Sequence, residues 1–311
     1  MSIARNVLES IGNTPLVELQ RVVPANHARV LVKLEGANPT GSMKDRMAIA
    51  VIERAESDGR LPRGGTVVEY TGGSTGTSLA LVCAAKAYRI RIVTSDAFSQ
   101  EKRLHMRALG ADLIEVPSED GRITRELIEE MIELARQISE VPDTFYSDQL
   151  QNVDAIAGYH PLGEEIWSQT GGNVNAFVQV VGTAHSIEGV AAVLRSCSPD
   201  VRVIAVEPAE SPVLSGGEPG AHKIEGIGIG FIPPLWNDSI ADEIMTVSTE
   251  EAKLMTRQLA SQEALFAGTS SGANVVAALR IAKRLGPGHT VVTLLVDSGL
   301  KYLTTDLYTS S

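Results

Sequence analysis

The sequence predicts an α/β protein with two doubly wound lobes built on mostly parallel sheets. Short apolar runs rich in β-branched residues alternate along the chain with longer segments of helical pattern. The strand-like runs are apolar at nearly every position, as expected of parallel sheets that are covered on both faces. The length of 311 residues exceeds what one hydrophobic core usually holds and suits two.

Seven segments are predicted to be strands and seven to be helices. The predicted strands are residues 29–34, 66–69, 91–94, 112–116, 176–181, 201–206 and 290–296. The predicted helices are residues 44–58, 75–88, 100–109, 124–139, 187–196, 249–262 and 272–285. Between residues 208 and 234 the chain is rich in glycine and proline, and a loop of that length is usually functional or mobile.

The composition excludes several classes of protein. A formal net charge of -11 argues against a nucleic-acid partner, because a phosphate backbone requires a basic surface. The two cysteines, Cys83 and Cys197, are too few for a disulfide framework and form no CxxC pair, so no metal is expected. We expect both thiols to be buried and inert. The N-terminus lacks a signal-peptide pattern and no apolar run approaches the ~18 residues of a membrane span, so the expected location is cytoplasmic.

Small and polar residues follow four of the predicted strands, where ligands of open α/β sheets bind. After the first strand, the segment NPTGSMKDR leads into a helix. Ser42 and Asp45 predict a capping box, which places Lys44 in the first helical turn. The positive end of the helix dipole lowers the pKa of an amine, and Schiff-base chemistry needs a neutral amine. Taken alone, however, Lys44 is better interpreted as a solvated lysine beside Asp45.

The loop TGGSTG at 71–76 follows the second of these strands. Its glycines, hydroxyl groups and helix N-terminus predict an anion pocket suited to a carboxylate, although an ordinary turn is equally consistent. The loop GTAHS at 182–186 follows another strand and is suited to a phosphate dianion. His185 in this loop is a possible anion donor, but partial exposure is the favoured interpretation.

The fourth place is Ser298, which follows the last predicted strand within the segment VDSG. Two glycine-punctuated segments, residues 226–233 and 268–273, could line a cleft. In order and spacing, all these segments resemble the cysteine synthase (O-acetylserine sulfhydrylase) family of fold-type II PLP enzymes, to which cystathionine β-synthase is related. The resemblance runs from IGNTPL at 11–16 to DSGLKYL at 297–303.

The resemblance implies a fold like that of the tryptophan synthase β-subunit and pyridoxal 5'-phosphate (PLP) as the cofactor. It also implies a smaller, mobile domain at residues 41–150 and a larger PLP-binding domain formed by residues 1–40 and 151–311. The active site is then expected in the cleft between these domains. The segment at 206–233 resembles the mobile region near the entrance of the family's active site.

The resemblance also assigns roles to individual residues. Lys44 is expected to hold the cofactor as a Schiff base and to shuttle the α-proton. The other expected cofactor-binding residues are Ser74, Gly182, Thr183, Ala184, His185, Ser186 and Ser298, of which Ser298 meets the pyridine nitrogen. The expected substrate-binding residues are Thr71, Gly72, Gly73, Ser74, Thr75, Gln149 and Gly226.

The chain departs from the family pattern at four of these positions. In the carboxylate loop, Gly72 stands where the family usually has serine, and Ser74 stands where it usually has asparagine. In the phosphate loop, Ala184 and His185 replace two glycines. We hypothesise that Gly72 and Ser74 widen or reshape the pocket around the amino-acid substrate.

The implied activity is β-replacement on a β-substituted L-alanine, in the commonest case O-acetyl-L-serine plus sulfide giving L-cysteine. A neutral serine at the pyridine nitrogen favours loss of a β-leaving group over transamination. The alternatives are an enzyme using O-phosphoserine or serine, a cystathionine β-synthase-like enzyme, a desulfhydrase, or a PLP-binding paralogue with a regulatory role. A nicotinamide-dependent enzyme is set aside because the GxGxxG motif is missing. The resemblance implies a homodimer and, in some members, binding of the C-terminal tail of serine acetyltransferase.

Overall fold

The computed structural model describes residues 3–121 and 123–309. The described residues form two compact units. Unit 1 contains the residues up to Ile11 and Asn38–Gly158, and unit 2 contains Gly12–Ala37 and the residues from Tyr159 onward. The mobile smaller domain and its boundaries at residues 41 and 150 stay a prediction.

Strands and helices alternate along most of the described chain. The strands are β1 (Leu16–Glu18), β2 (Arg29–Leu34), β3 (Thr66–Tyr70), β4 (Arg89–Ser95), β5 (Asp112–Val116), β6 (Thr144–Tyr146), β7 (Ala176–Val180), β8 (Arg202–Pro208), β9 (Glu243–Val247) and β10 (Thr290–Leu295). The α-helices are α1 (Lys44–Ser57), α2 (Ser74–Lys86), α3 (Gln100–Ala108), α4 (Arg125–Ser139), α5 (Asp154–Ala157), α6 (His160–Gln169), α7 (His185–Cys197), α8 (Thr249–Glu263), α9 (Thr269–Leu285) and α10 (Asp306–Thr309).

Unit 1 is built on a four-stranded sheet in the order β5-β4-β3-β6, with every pair parallel. From Val67 onward β3 is buried, because helices cover the sheet and apolar residues point to both faces. Since β3 and β6 run in parallel, with Val68 opposite Tyr146, the residues that follow these two strands emerge at the same edge. That edge carries the 71–76 loop and Gln149.

Unit 2 is built on a six-stranded sheet in the order β1-β2-β10-β7-β8-β9. Only β1 is antiparallel to its neighbour among these described strands. All six residues of β10 are buried, as are all five of β7, which lies beside it. The carboxyl ends of β10 and β7 therefore bring Ser298 and the 182–186 loop to one edge of this sheet.

The predicted α/β fold with mostly parallel sheets is confirmed. All seven predicted strands and all seven predicted helices are present, with ends shifted by a few residues. Strands β1, β6 and β9 and helices α5, α6 and α10 were not predicted. No helix within the described residues combines the length and the apolar character that a membrane span needs. The expectation of two buried thiols is wrong for Cys197, which is exposed, whereas Cys83 is buried.

Candidate active site

Lys44 is the first residue of α1, as the sequence predicts, and its side chain is half-buried. The predicted capping box is not formed. The hydroxyl of Ser42 accepts a hydrogen bond from the backbone N–H of Lys44 at 3.2 Å. The Asp45 carboxylate instead accepts from the backbone N–H and the hydroxyl of Thr40, at 2.8 and 2.5 Å. Because Asp45 lies within reach of Thr40, it fixes the NPTGS loop rather than the helix terminus.

The 71–76 loop links β3 to α2 and is held by its own hydrogen bonds. The hydroxyl of Thr71 accepts from the N–H of Gly73 at 3.0 Å. Gly73 adopts a φ of 151°, and a Cβ there would lie 2.3 Å from the Cδ atom of Lys102, so this position requires glycine. Ser74 begins α2 and is half-buried. The N–H groups of the first turn of α2 provide the donors that an anion requires.

Gln149 follows β6 and joins the same loop. Its Oε1 atom accepts from the Thr75 hydroxyl at 2.8 Å, and its Nε2 atom donates to the carbonyl oxygen of Tyr70 at 2.8 Å. A carboxamide carries two N–H hydrogens, so one hydrogen of Gln149 remains for a further acceptor. The structure thus brings Gln149 and Thr75 together, although 74 residues separate them in the sequence.

Gly72 contacts Phe98, a residue that sequence reasoning missed. A Cβ atom at position 72 would lie 2.6 Å from Cε1 and 2.7 Å from Cδ1 of the Phe98 ring. Gly72 is not among the glycines with positive φ, so its backbone would accept a side chain if the ring were absent. The ring of Phe98 therefore fills the space that glycine leaves, and the hypothesis that Gly72 and Ser74 widen or reshape the substrate pocket stays a prediction.

Glu69, the penultimate residue of β3, was also missed. Its side chain is fully buried, and burial raises the pKa of its carboxyl group to about 8. A charged residue within an otherwise apolar strand is the signal that could have identified it, because glutamate is rarely buried without a partner. Its carboxyl group accepts hydrogen bonds from the hydroxyl of Ser147 and from the backbone N–H groups of Gln149 and Tyr70.

In unit 2, the 182–186 loop links β7 to the N-terminus of α7. A Cβ atom at Gly182 would lie 2.5 Å from the carbonyl oxygen of Gly226, so the two backbones approach closely only because position 182 is glycine. Gly226 itself has a φ of 85°. The hydroxyl of Ser186 accepts from Nε2 of Gln179 at 3.0 Å, which leaves its hydrogen for an acceptor.

His185 is buried, with a relative exposure of 1%, so the favoured interpretation of a partly exposed histidine is wrong. Its Nδ1 atom lies 2.9 Å from the hydroxyl oxygen of Thr183. Ala184, immediately before α7, has a φ of 69°, a left-handed conformation that glycine adopts more readily. The contact between His185 and Thr183 spans this strained residue and holds the loop in place.

Ser298 follows β10 and is half-buried. Its hydroxyl oxygen accepts from the N–H of Leu300 at 3.3 Å, which leaves its hydrogen to donate. The neighbouring Asp297 carboxylate accepts from the Tyr302 hydroxyl at 2.6 Å. A Cβ at Gly36 would lie 3.2 Å from the backbone nitrogen of Ser298, so the segment after β2 packs tightly against this residue.

The segment between β8 and β9 contains no helix or strand within the described residues, but local hydrogen bonds organise it. The Glu207 carboxylate accepts from the backbone N–H groups of Leu214 and Ser215, at 2.7 and 3.0 Å. His222 contacts the carbonyl oxygen of Gly228 through Nε2 at 2.8 Å. Glu207 and Gly182 both line a small pocket in this unit. The mobility expected of this segment stays a prediction.

Comparison with known proteins identifies the family of this chain. The family model described as pyridoxal-phosphate dependent enzyme matches residues 7–297. The chain belongs to this family. A cysteine synthase of Staphylococcus aureus (strain Mu50 / ATCC 700699) is 44% identical over 306 residues, which cover 97% of this chain and 96% of that protein.

Two solved structures share the fold of this PLP-dependent enzyme closely. A cysteine synthase (OASS) from Entamoeba histolytica matches with a TM-score of 0.91 and 37% identity, covering 100% of this chain and 92% of that one. An O-acetylserine dependent cystathionine beta-synthase from Helicobacter pylori also has a TM-score of 0.91 and 37% identity, covering 99% of this chain and 100% of that one.

The residues described above are chemically suited to PLP. The 182–186 loop offers backbone N–H groups at a helix N-terminus, the hydroxyl of Ser186 and a close backbone approach at Gly182, a donor set that fits a phosphate group. Ser298 can donate a hydrogen bond to a pyridine nitrogen, and the half-buried Lys44 supplies a primary amine.

Proposed function

We propose that this PLP-dependent enzyme converts O-acetyl-L-serine and sulfide into L-cysteine and acetate. The observation that carries the proposal is the carboxylate-binding arrangement of unit 1, in which Gln149 lies beside Thr75 at the N-terminus of α2. The similarity to a cysteine synthase at 44% identity over nearly the whole chain supports the same reaction.

In the proposed reaction, the residues of unit 1 bind and deprotonate the amino acid. The substrate carboxylate would receive hydrogen bonds from the remaining Nε2 hydrogen of Gln149 and from the N–H groups that begin α2. The amine of Lys44 would carry the cofactor, remove the α-proton and later return it. PLP, when bound, spreads the negative charge that develops at Cα into its ring.

The residues of unit 2 would hold the cofactor in place. We assign the phosphate to Gly182–Ser186, with His185 supporting the loop through Thr183, and we assign the pyridine nitrogen to the neutral hydroxyl of Ser298. Loss of the β-acetoxy group and addition of the sulfide sulfur to Cβ complete the exchange. Acetate leaves with the bonding electrons, and the sulfide proton and the returned α-proton balance the reaction.

The experiment adds O-acetyl-L-serine, O-phospho-L-serine, L-serine and L-cysteine in turn to the purified holoenzyme, while the visible spectrum is recorded. Sulfide is then supplied, and amino-acid products are identified by mass spectrometry. We expect O-acetyl-L-serine to give L-cysteine and an equal amount of acetate, and the other three amino acids to give no new amino acid. Bound PLP with no product from any of the four amino acids would refute the proposed reaction.

A pair of lysine variants tests the role of Lys44. We expect Lys44→Ala to lose the covalently attached cofactor and its visible band. The matched control is Lys86→Ala in the same unit, because Lys86 ends α2 and its amine is bonded to Glu56 near the C-terminal end of α1, whereas Lys44 begins α1. This control should keep the band, and a persistent covalent cofactor in Lys44→Ala would contradict the assignment.

Synthesis of cystathionine is a second candidate. The observation that favours it is the match to the Helicobacter pylori enzyme, whose TM-score equals that of the Entamoeba cysteine synthase. Supplying L-homocysteine in place of sulfide in the same assay separates the two reactions.

We further propose that the chain forms a homodimer, since twofold symmetric dimers are the commonest oligomers, and light scattering after gel filtration tests this.

A further inference from the structure

Glu69 precedes the 71–76 loop and connects it to the segment that carries Gln149. Its Oε2 atom accepts from the Ser147 hydroxyl at 2.7 Å and from the backbone N–H of Gln149 at 3.0 Å. Its Oε1 atom accepts from the backbone N–H of Tyr70 at 3.0 Å. One buried carboxyl group thus fixes both backbone segments that the Gln149 side chain bridges.

The hydroxyl of Ser147 has two acceptors within reach but only one hydrogen. It lies 2.7 Å from Oε2 of Glu69 and 3.1 Å from the carbonyl oxygen of Val68. When Glu69 is ionised, Ser147 donates to it. When Glu69 is neutral, the carboxyl O–H can donate to Ser147, whose own hydrogen then turns to Val68. Both protonation states of Glu69 are therefore hydrogen-bonded without any movement of heavy atoms.

The groups around Glu69 keep it neutral at neutral pH. Burial is the largest cause of its raised pKa of about 8, and the charge of Asp148 acts in the same direction. Asp148 is half-buried, and burial raises its own pKa. The phenols of Tyr70 and Tyr146 also face Glu69, and burial raises the pKa of each, so they stay neutral. Glu69 thus becomes an anion in mildly alkaline solution.

We propose that Glu69 is a positioning residue for the substrate carboxylate, and that loss of its proton, accompanied by the switch of Ser147, weakens substrate binding. The inference rests on the proposed function, in which Gln149 and the start of α2 bind that carboxylate. A negative charge on Glu69 opposes a second negative charge bound at the same loop. By linkage, a bound carboxylate makes Glu69 retain its proton.

The test measures the KM for O-acetyl-L-serine and the dissociation constant of L-alanine between pH 7 and pH 9 with the holoenzyme. L-Alanine has no β-leaving group, so it reports binding without turnover. For the native enzyme we expect both constants to rise about tenfold, the effect of about 1.4 kcal/mol, with a smaller change in kcat. In Glu69→Gln this rise should vanish, because a carboxamide donates and accepts as the neutral acid does.

Two further variants separate this role from a general structural one. Ser147→Ala removes a hydrogen-bond donor to the ionised Glu69 carboxylate, which raises the pKa of Glu69. The loss of affinity should therefore begin at a higher pH. Asp148→Asn is the control for a neighbouring acid and should keep the rise in both constants. An equal rise in the native enzyme and in Glu69→Gln overturns the inference. If L-alanine binding follows the expected pattern but no amino acid is turned over, the proposed function fails while the role of Glu69 stands.

Discussion

Introducing a side chain at Gly72 should destabilise the protein only while the Phe98 ring is present. The Cβ atom of Gly72→Ser would lie 2.6 Å from Cε1 of Phe98. Ordinary carbon contacts are about 3.5–4.0 Å, so the ring must withdraw by about 1 Å. The turn that carries Phe98 resists this movement, because the backbone N–H of Phe98 donates to the carbonyl oxygen of Ser95 at 3.2 Å. Overpacking of this kind costs about 1–3 kcal/mol, and we expect about 2 kcal/mol.

A double-mutant cycle isolates this clash from other effects. Gly72→Ser, Phe98→Ala and the double variant are compared with the native holoenzyme by thermal unfolding. About 2 kcal/mol should lower the Tm by about 3 °C for Gly72→Ser in the native background. The same substitution should have little effect when position 98 is alanine, which gives a coupling energy of about 2 kcal/mol. Equal effects of Gly72→Ser in the two backgrounds would show that a clash with the Phe98 ring is not the cause of the destabilisation.

Two further predictions concern buried and strained residues. Free glutamate loses its proton near pH 4.5, but folded Glu69 keeps its proton up to about pH 8. Between these values the unfolded chain binds fewer protons, so stability should fall as pH rises, by about 1.4 kcal/mol per unit and about 5 kcal/mol in total. Urea unfolding at pH 5 and pH 9 checks this, and parallel pH curves for the native protein and Glu69→Gln would contradict it. Ala184→Gly should stabilise the protein by up to about 1 kcal/mol, because Ala184 has a φ of 69°, and a lower Tm in that variant would oppose the reasoning.

The elements that sequence reasoning found and missed differ in their place within the sheets. Central strands such as β7 and β10 are nearly continuous apolar runs, so their pattern is strong. The missed strands β1, β6 and β9 all lie at sheet edges, and β1 and β6 have three residues each. An edge strand of three residues carries too little pattern to be recognised, whereas β5, an edge strand of five residues, was predicted.

In the candidate site, too, short contiguous motifs were recognised from the sequence, whereas contacts between residues far apart in the sequence were missed. The motifs at 71–76 and 182–186 are contiguous, so glycines, hydroxyl groups and a following helix were enough to predict anion-binding loops. The contact of Phe98 with Gly72 and that of Ser147 with Glu69 join segments 26 and 78 residues apart. No local pattern encodes such contacts. The sequence showed that Gly72 departs from the family pattern, but only the fold shows which side chain takes the vacated space.

The departures from the family pattern have a common physical character. At Gly72 a side chain is absent and the apolar ring of Phe98 fills the space beside the backbone. Ala184 adopts a left-handed backbone, which is strained for alanine, and the contact between His185 and Thr183 supports it. Both loops lead into the first turn of a helix, α2 in one case and α7 in the other, where backbone N–H groups lack helical partners. We therefore expect substitutions at Gly72 and Phe98 to change which amino acid is accepted, and substitutions at His185 to change how tightly PLP is held.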